Sequence, residues 1–496
     1  MPAHPLFDEY KFHLWLQFNL HRQLKAATDY CTSLGVVLKG DIPIGVSPRG
    51  ADAWWWRDYF RLDTQTGAPP DAFSANGQNW GMPTYNWENM EKDGYQWWVE
   101  RFRQLSNYFS AYRVDHILGW FRIWEIPEDR VGGIAGRFRK CHPIHVDHLR
   151  SLGIHDIHRL CKPFLPEDHV KGLLKDVPLF VDEWFEYDDG KRDYRGVALM
   201  KFKTEVNSEK KLIKKLGLRV NPETEKDRFE SLKDRLISLT TNYILMWDND
   251  HLNIHDYHFH PRFNLDQTHS FRHLPHNIQT AMKKMMINYY YRDHQDIWGV
   301  EADKKMSTIL KATKMLPCGE DLGLLADVVV EKLQKHRVCG LRVQRMPADD
   351  SIVLPHPNDY PYDVVATTST HDCANLRAWW IQPGSRHQRD KMWYDLLGEK
   401  GPCPYALDHD TASRIIDMHM FSPAFLVIFP LQDWLTLSPM SCYKGDPEDE
   451  TINHPEIVPH YWRYRMHLSV EDLMVDSTLI GGIKARVLSS GRFAYR

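Results

Sequence analysis

Residues 108–127 read YFSAYRVDHILGWFRIWEIP. The opening run, Tyr108, Phe109, Ala111, Tyr112 and Val114, is apolar and aromatic, with the length and composition of a buried β-strand. It stops on charge: Arg113, Asp115 and His116 stand where strand gives way to loop. In parallel α/β folds, and in (β/α)8 barrels above all, the C-terminal end of a strand is where chemistry is placed. Arg113 and Asp115, two residues apart, share one face of a strand. The guanidinium can then orient the carboxylate and keep it ionised, which suits a nucleophile. A buried structural ion pair is the other reading of the same two residues.

Two later stretches repeat the pattern. Residues 309–323, ILKATKMLPCGEDLG, form an apolar run that ends on Glu320 and Asp321 before a glycine. Residues 363–380, DVVATTSTHDCANLRAWW, form a β-branched run that ends on His371 and Asp372. Three strand-like segments, each delivering a carboxylate to its C-terminal end, make the constellation of a glycosidase-type site. In such a site one carboxylate attacks the anomeric carbon and one protonates the leaving oxygen. A third holds the sugar while positive charge builds on its ring.

These three motifs, Arg113-Val114-Asp115-His116, Gly319-Glu320-Asp321-Leu322-Gly323 and Thr370-His371-Asp372, resemble those of the 4-α-glucanotransferases, the amylomaltase or disproportionating-enzyme family (glycoside hydrolase family 77). So do Gly40-Asp41-Ile42-Pro43-Ile44-Gly45-Val46, the run 67–87 (GAPPDAFSANGQNWGMPTYNW), Phe429-Pro430-Leu431-Gln432-Asp433 and Glu450-Thr451-Ile452-Asn453. His371-Asp372-Cys373, Leu376-Arg377-Ala378-Trp379-Trp380 and Tyr461-Trp462-Arg463-Tyr464-Arg465 resemble the plant-type cytosolic branch that consumes maltose. The resemblance implies a (β/α)8 TIM barrel of the α-amylase type with Asp115 as nucleophile, Glu320 as general acid and base, and Asp372 as transition-state stabiliser. It implies sugar contacts from Arg113, His116, His371, Asp41, Gln78, Trp80, Gly81, Tyr85 and Asn453. Maltose and an α-glucan or heteroglycan acceptor are the implied substrates, with no cofactor. Arg49 stands where an Asp or Asn is more usual in the family, and it is given no role.

Composition bounds the alternatives. With 62 basic and 66 acidic residues the formal charge is −4, and no long basic run is present, so nucleic acid is not an expected partner. No apolar run approaches the ~20 residues of a membrane helix, and the start MPAHPLFDEYKFHLW has no secretory pattern. Eight cysteines without a Cys-x-x-Cys pair read as reduced thiols of a cytoplasmic protein. Histidines recur at 142, 145 and 148 and at 255, 258 and 260 without a zinc signature, so they are expected to be solvated surface residues and no metal is expected.

Around the motifs the chain alternates. A helix is expected over 11–34, with Leu14, Leu16, Phe18, Leu20 and Leu24 at helical spacing, then a strand over Val36–Lys39 that places Asp41 at its C-terminal end. Residues 45–90, rich in Gly, Pro, Asn and aromatics, read as a long functional loop. In the family this loop is a lid: Trp80 and Tyr85 are expected to stack on glucose and exclude water, the other reading being that Trp54–Trp56, Trp80 and Trp87 pin the loop to the barrel. A helix over 90–107 feeds the strand at 108–114. Between Asp115 and Glu320 lies a polar, His- and Lys-rich insertion of mostly helical character, in which Lys201–Lys215 reads as a solvated helix. Helices over about 324–336, 374–397 and 410–420 then alternate with strands over 338–346, at 363–370 and over 424–429. The expected organisation is therefore a barrel part with the lid (1–130), an insertion (131–300) and a second barrel part (301–496). The resemblance places two barrel strands, a substrate-facing loop and carbohydrate-binding modules upstream of residue 1, so the barrel is expected to lack its first strands. Two other readings remain: an α-glucan hydrolase of the amylase type, and a truncated chain that only binds glucan.

Overall fold

Short parallel strands need only a few residues each when helices cover them, and six such strands form the frame of this chain. In a computed structural model describing residues 4–71, 74–248, 257–323, 325–349, 351–455 and 462–492, Lys39–Ile42 (β1), Ala111–Val114 (β2) and Leu316–Gly319 (β3) pair in parallel, with Ala111 opposite both Lys39 and Leu316. Gly340–Val343 (β4), Val364–Thr367 (β5) and Leu426–Val427 (β6) form a second parallel set. The sets join where Cys318 bridges Cys339 and the Gly319 amide donates to the Cys339 carbonyl at 2.9 Å. Spatial order equals chain order across all six strands, without the reversal of a doubly wound sheet.

These strands belong to one of two compact units, made of Met1–Ile44, Met90–Trp120 and Ala302–Arg496. The central strand is buried by Gln96–Leu105, whose Trp98 and Phe102 are fully covered. The Phe102 ring meets Tyr112 of β2 edge-on at 4.6 Å, and Trp98 meets Trp120 at 5.7 Å. Aromatic pairs in this geometry add to the area they bury. Asp327–Lys335 follows β3, and Leu376–Ile381 and His409–Met420 lie between β5 and β6, each with an apolar face inward.

Several boundaries differ from the sequence reading. The first strand lies at 39–42, not 36–39: Val36 and Val37 are β-branched but exposed, and pairing with 111–114 sets the strand. Asp41 thus sits within β1, opposite Arg113. The expected helix over 374–397 stops at Ile381 because Pro383 has no amide to continue it. The leading helix, Phe7–Ser33, buries none of its residues, and Leu14, Phe18 and Leu20 are at least half exposed.

The other unit comprises Gly45–Asn89 and Phe121–Glu301, so the long loop groups with the interval between the two carboxylate motifs. Its four-stranded sheet runs Gln78–Asn79, Thr64–Ala68, Ile123–Pro127 and Arg137–Arg139. Despite its polar composition the unit holds two hydrophobic clusters, one around Trp184, Val206, Leu212 and Leu232, the other around Leu149, Ile244, Phe259 and Met282. Lys201–Lys215 is not one solvated helix: Ala198–Phe202 is a strand, and Glu209–Gly217 buries Leu212 and Leu216 beneath its lysines.

Histidine placement corrects another expectation. His260 is buried, 2.7 Å from the Tyr289 hydroxyl and 3.5 Å from Asp248, rather than solvated. His255 and Tyr461 lie outside the described residues. Among the described residues no three His, Cys, Asp or Glu side chains are arranged to hold a metal, and no helix is long and apolar enough to cross a membrane.

Candidate active site

Strand register brings the charged residues together. Val114 of β2 pairs with Ile42 of β1 and Gly319 of β3, so Asp115 and Glu320 each stand one residue beyond a paired position on adjacent strands. Backbone bonds extend the ladder under both: Asp115 donates to the Ile42 carbonyl at 3.0 Å and Glu320 to the Val114 carbonyl at 2.9 Å. Arg113, one residue back, lies opposite Asp41. Its Nη1 donates to both Asp41 oxygens at 2.9 Å and reaches Asp115 Oδ1 at 3.1 Å, while Nη2 lies 3.9 Å from Asp372 Oδ2. One guanidinium therefore serves three carboxylates.

Glu320 is held by backbone. His116 N–H donates to Oε2 at 2.9 Å and Leu322 N–H to Oε1 at 2.8 Å. The first of these bonds uses His116 at φ +43°, the left-handed region that side chains other than glycine rarely adopt, and such strain concentrates at functional sites. Glu320 is 8% exposed. Burial pushes its carboxyl up to about 8, helped by the neighbouring Asp115 charge and opposed by Arg113 and the Leu322 amide. Desolvation wins because two amides and a shared cation do not replace the hydration of a buried anion.

The other two carboxyls move in opposite directions. Burial also raises Asp115; Arg113 opposes it, and Asp41 and Asp372 add to it. For Asp372 burial raises, but the bonds from His371 and Asn453 outweigh it and the net direction is down. His371 Nε2 lies 3.0 Å from Asp372 Oδ2, a contact that raises the imidazole, and Asn453 Nδ2 donates to Asp372 Oδ1 at 2.8 Å. A carboxyl kept protonated beside a carboxylate kept ionised is how acid and anionic roles are divided at neutral pH.

Asp41, Arg113, Asp115, His116, Glu320, His371, Asp372 and Asn453 are thus assembled within one unit. The remaining expected contacts lie in the other. There Trp80 Nε1 donates to Gln78 Oε1 at 2.9 Å, and Gly81, at φ +70°, donates to Asn79 Oδ1 at 3.0 Å. Tyr85 departs from the expectation: it is 3% exposed and packs against Phe60 and Trp87, so its ring is a core residue and not a stacking platform. Trp54 and Trp55 are exposed on Ala51–Trp55.

The contacts of three neighbours, Asp321, Gly340 and Trp462, were not readable from the sequence. Asp321, 4% exposed, accepts from Leu341 N at 2.6 Å and Arg342 Nη1 at 3.0 Å, tying the Glu320 turn to β4. Gly340 permits this, since a Cβ there would stand 2.8 Å from Asp321 Oδ2. The exposed Trp462 ring lies 5.6 Å from His371. The Gly-Glu-Asp motif was a signal for Asp321, but its partner is distant in sequence.

Glu320 has a stability consequence. A carboxyl raised by folding binds its proton more tightly in the native state, so stability is greatest below its ordinary value of 4.5 and falls as pH rises from there toward about 8. Glu320→Gln removes this loss. The variant is expected to gain on the order of a few kcal/mol over the wild type between pH 5 and 8.5. Denaturant unfolding at the two pH values measures it, and a gap that does not widen with pH would contradict the burial argument.

The sequence matches the family model described as 4-alpha-glucanotransferase over residues 2–470. It is 37% identical over 482 residues to 4-alpha-glucanotransferase DPE2 of Oryza sativa subsp. japonica, covering 97% of this chain and 50% of that protein. It is 25% identical over 481 residues to a 4-alpha-glucanotransferase of Chlamydia pneumoniae, covering 96% and 60%. The chain therefore spans about half to three-fifths of these relatives' length. In structure it resembles an amylomaltase from Streptococcus agalactiae solved with acarbose, with TM-score 0.55 and 16% identity over 98% of this chain and 63% of that one. Amylomaltase from Corynebacterium glutamicum gives TM-score 0.50 and 15% identity, covering 98% and 51%. These structural likenesses concern the fold, which is TIM-barrel-like.

Proposed function

The chain belongs to the 4-alpha-glucanotransferases of glycoside hydrolase family 77, and from that premise we propose that it moves glucosyl units from maltose or short malto-oligosaccharides to an α-glucan acceptor. The observation that carries the reading is the pairing of Asp115 and Glu320 one step beyond Val114 and Gly319. Asp115 attacks the anomeric carbon as Glu320 gives its proton to the leaving O4, forming a covalent glucosyl-enzyme. Glu320, now ionised, takes the proton of an acceptor 4-hydroxyl, which displaces Asp115 and restores the α-linkage. Asp372, with His371 and Asn453, binds ring hydroxyls and strengthens those contacts as positive charge develops. Arg113 and Asp41 orient the nucleophile, and His116 adds a sugar contact. Trp462 beside His371, and Gln78, Trp80 and Gly81 of the long loop, are further sugar contacts in this reading. Eight free thiols accord with a cytoplasmic setting.

The test is glucose release from maltose with glycogen present. One glucose freed for each glucosyl unit added to glycogen is the expected result. Two glucose molecules per maltose, with none added to glycogen, would make the chain a hydrolase and overturn the proposal.

A further inference from the structure

Cys373 directly follows Asp372, and hydrogen-bond donors converge on its sulfur. Arg345 Nη2 lies 3.0 Å from Sγ and the Thr370 amide 3.4 Å away, with the Thr370 and Ser369 hydroxyls at 3.6 and 3.7 Å. Among the described residues no carboxylate is hydrogen-bonded to the sulfur. Arg345 is itself 7% exposed and, among the described residues, makes no ion pair with a carboxylate. Its other hydrogen bonds go to the Ser369 hydroxyl and the Ala374 carbonyl, and its Nη1 is buried with no partner among those residues. A buried guanidinium calls for a counter-charge. The buried Asp433 carboxylate feels Arg345 only through space; the group in hydrogen-bond contact that can carry a charge is the Cys373 sulfur.

We propose that Cys373 is a thiolate modification site, oxidised by hydroperoxides to the sulfenic acid, and that this oxidation displaces Asp372 and switches the site off. The thiolate attacks one peroxide oxygen; an S–O bond forms, the O–O bond breaks, and hydroxide or alkoxide leaves and takes a proton from water. Sulfur is oxidised by two electrons and the peroxide is reduced. The unpartnered Nη1–H of Arg345 is available to the new oxygen. Burial pushes the thiol up, but Arg345 and the Thr370 donors outweigh it and the net direction is down. Low-lying thiolates in electropositive, partly exposed settings are the ones that oxidise selectively. Cys373 is partly exposed, as are Cys31 and Cys442, which have no guanidinium on sulfur among the described residues; Cys403, also partly exposed, has Arg389 beside its sulfur, but burial outweighs it and pushes that thiol up.

Thr370, Ser369 and Arg345 close around the sulfur, so an added oxygen has to be taken up by the same turn that carries the preceding residue, Asp372. The loss of turnover rests on the transferase reading; the reactivity of the thiol does not. The test is therefore made first on the thiols themselves. The full chain is treated with limiting iodoacetamide from pH 5.5 to 9, and in parallel with hydrogen peroxide plus dimedone, and each cysteine is quantified by peptide mass spectrometry. Cys373 is expected to label at least ten times faster than Cys31, Cys403 or Cys442 at pH 7. Arg345→Lys should narrow that ratio, because a point charge on a flexible stem does not reproduce the guanidinium contact. Labelling of Cys373 at the rate of the other three would overturn the proposal, whether or not the chain turns over maltose. If maltose turnover is present, peroxide should remove it in step with dimedone labelling and spare the Cys373→Ser chain. Equal loss in both chains would refute the switch.

Discussion

Asp115→Asn is expected to abolish glucose release from maltose and glycogen, by on the order of 10⁴-fold or more, while leaving the chain folded. Asparagine has the shape of aspartate and can accept from Arg113, but it cannot form the covalent ester on which both half-reactions depend. The fold should tolerate the change because Arg113 keeps its two bonds to Asp41, so no buried cation is stranded. Asp115 helps to push the Glu320 carboxyl up, so in the variant Glu320 should ionise at lower pH than in the wild type. Near-normal melting with no glucose, measured side by side, is the expected pair of results. An Asp115→Asn chain within tenfold of wild-type activity would give the nucleophile's role to another carboxylate, with Asp372 the next to replace.

Glu320→Gln should cost about 10²–10⁴-fold with maltose, the usual range for losing a positioned general acid. The loss should be much smaller with α-glucosyl fluoride, because fluoride leaves without a proton. The pH profile of the wild type carries the same information. Glu320, pushed up to about 8, is protonated at neutral pH, and the maltose rate should fall as pH rises through about 8. Asp115 must be ionised to attack, and its upward shift places the acid limb above the ordinary aspartate value of 3.8. The basic limb should disappear for the fluoride donor in the bond-breaking step. A maltose profile flat from pH 7 to 9 would show that Glu320 is not the acid.

The three carboxylates were legible in the sequence for a local reason. Asp115 and Glu320 each follow directly on a strand, where a charge that ends a buried run stands at the strand's mouth, while Asp372 lies five residues beyond Val364–Thr367. What depends on distant partners was not legible. Nothing near Tyr85 says that Phe60 and Trp87 will enclose it, and an aromatic destined for a core looks the same in sequence as one offered to a sugar. Asp321 reads as part of the Glu320 motif, yet its work is done on Leu341 and Arg342. Lys201–Lys215 suggested a solvated helix because its six lysines outnumber its apolar side chains. Burial of Leu212 and Leu216 depends on which face of Glu209–Gly217 turns inward. Asp41 was placed past its strand because Val36 and Val37 are strong strand formers, but the strand is chosen by its neighbour's register.

That register also acts as a gauge. Adjacent parallel strands lie about 4.8 Å apart, and Asp115 and Glu320 start from neighbouring strands at the same level, each anchored by its own amide to the strand beside it. Two carboxyls that act together with retention of anomeric configuration stand about 5–5.5 Å apart. The stereochemistry of the proposed reaction is thus inherited from the spacing of the backbone hydrogen-bond ladder. The strands set the level from which both carboxyls start, and the lengths of the Asp115 and Glu320 side chains set the gap that remains.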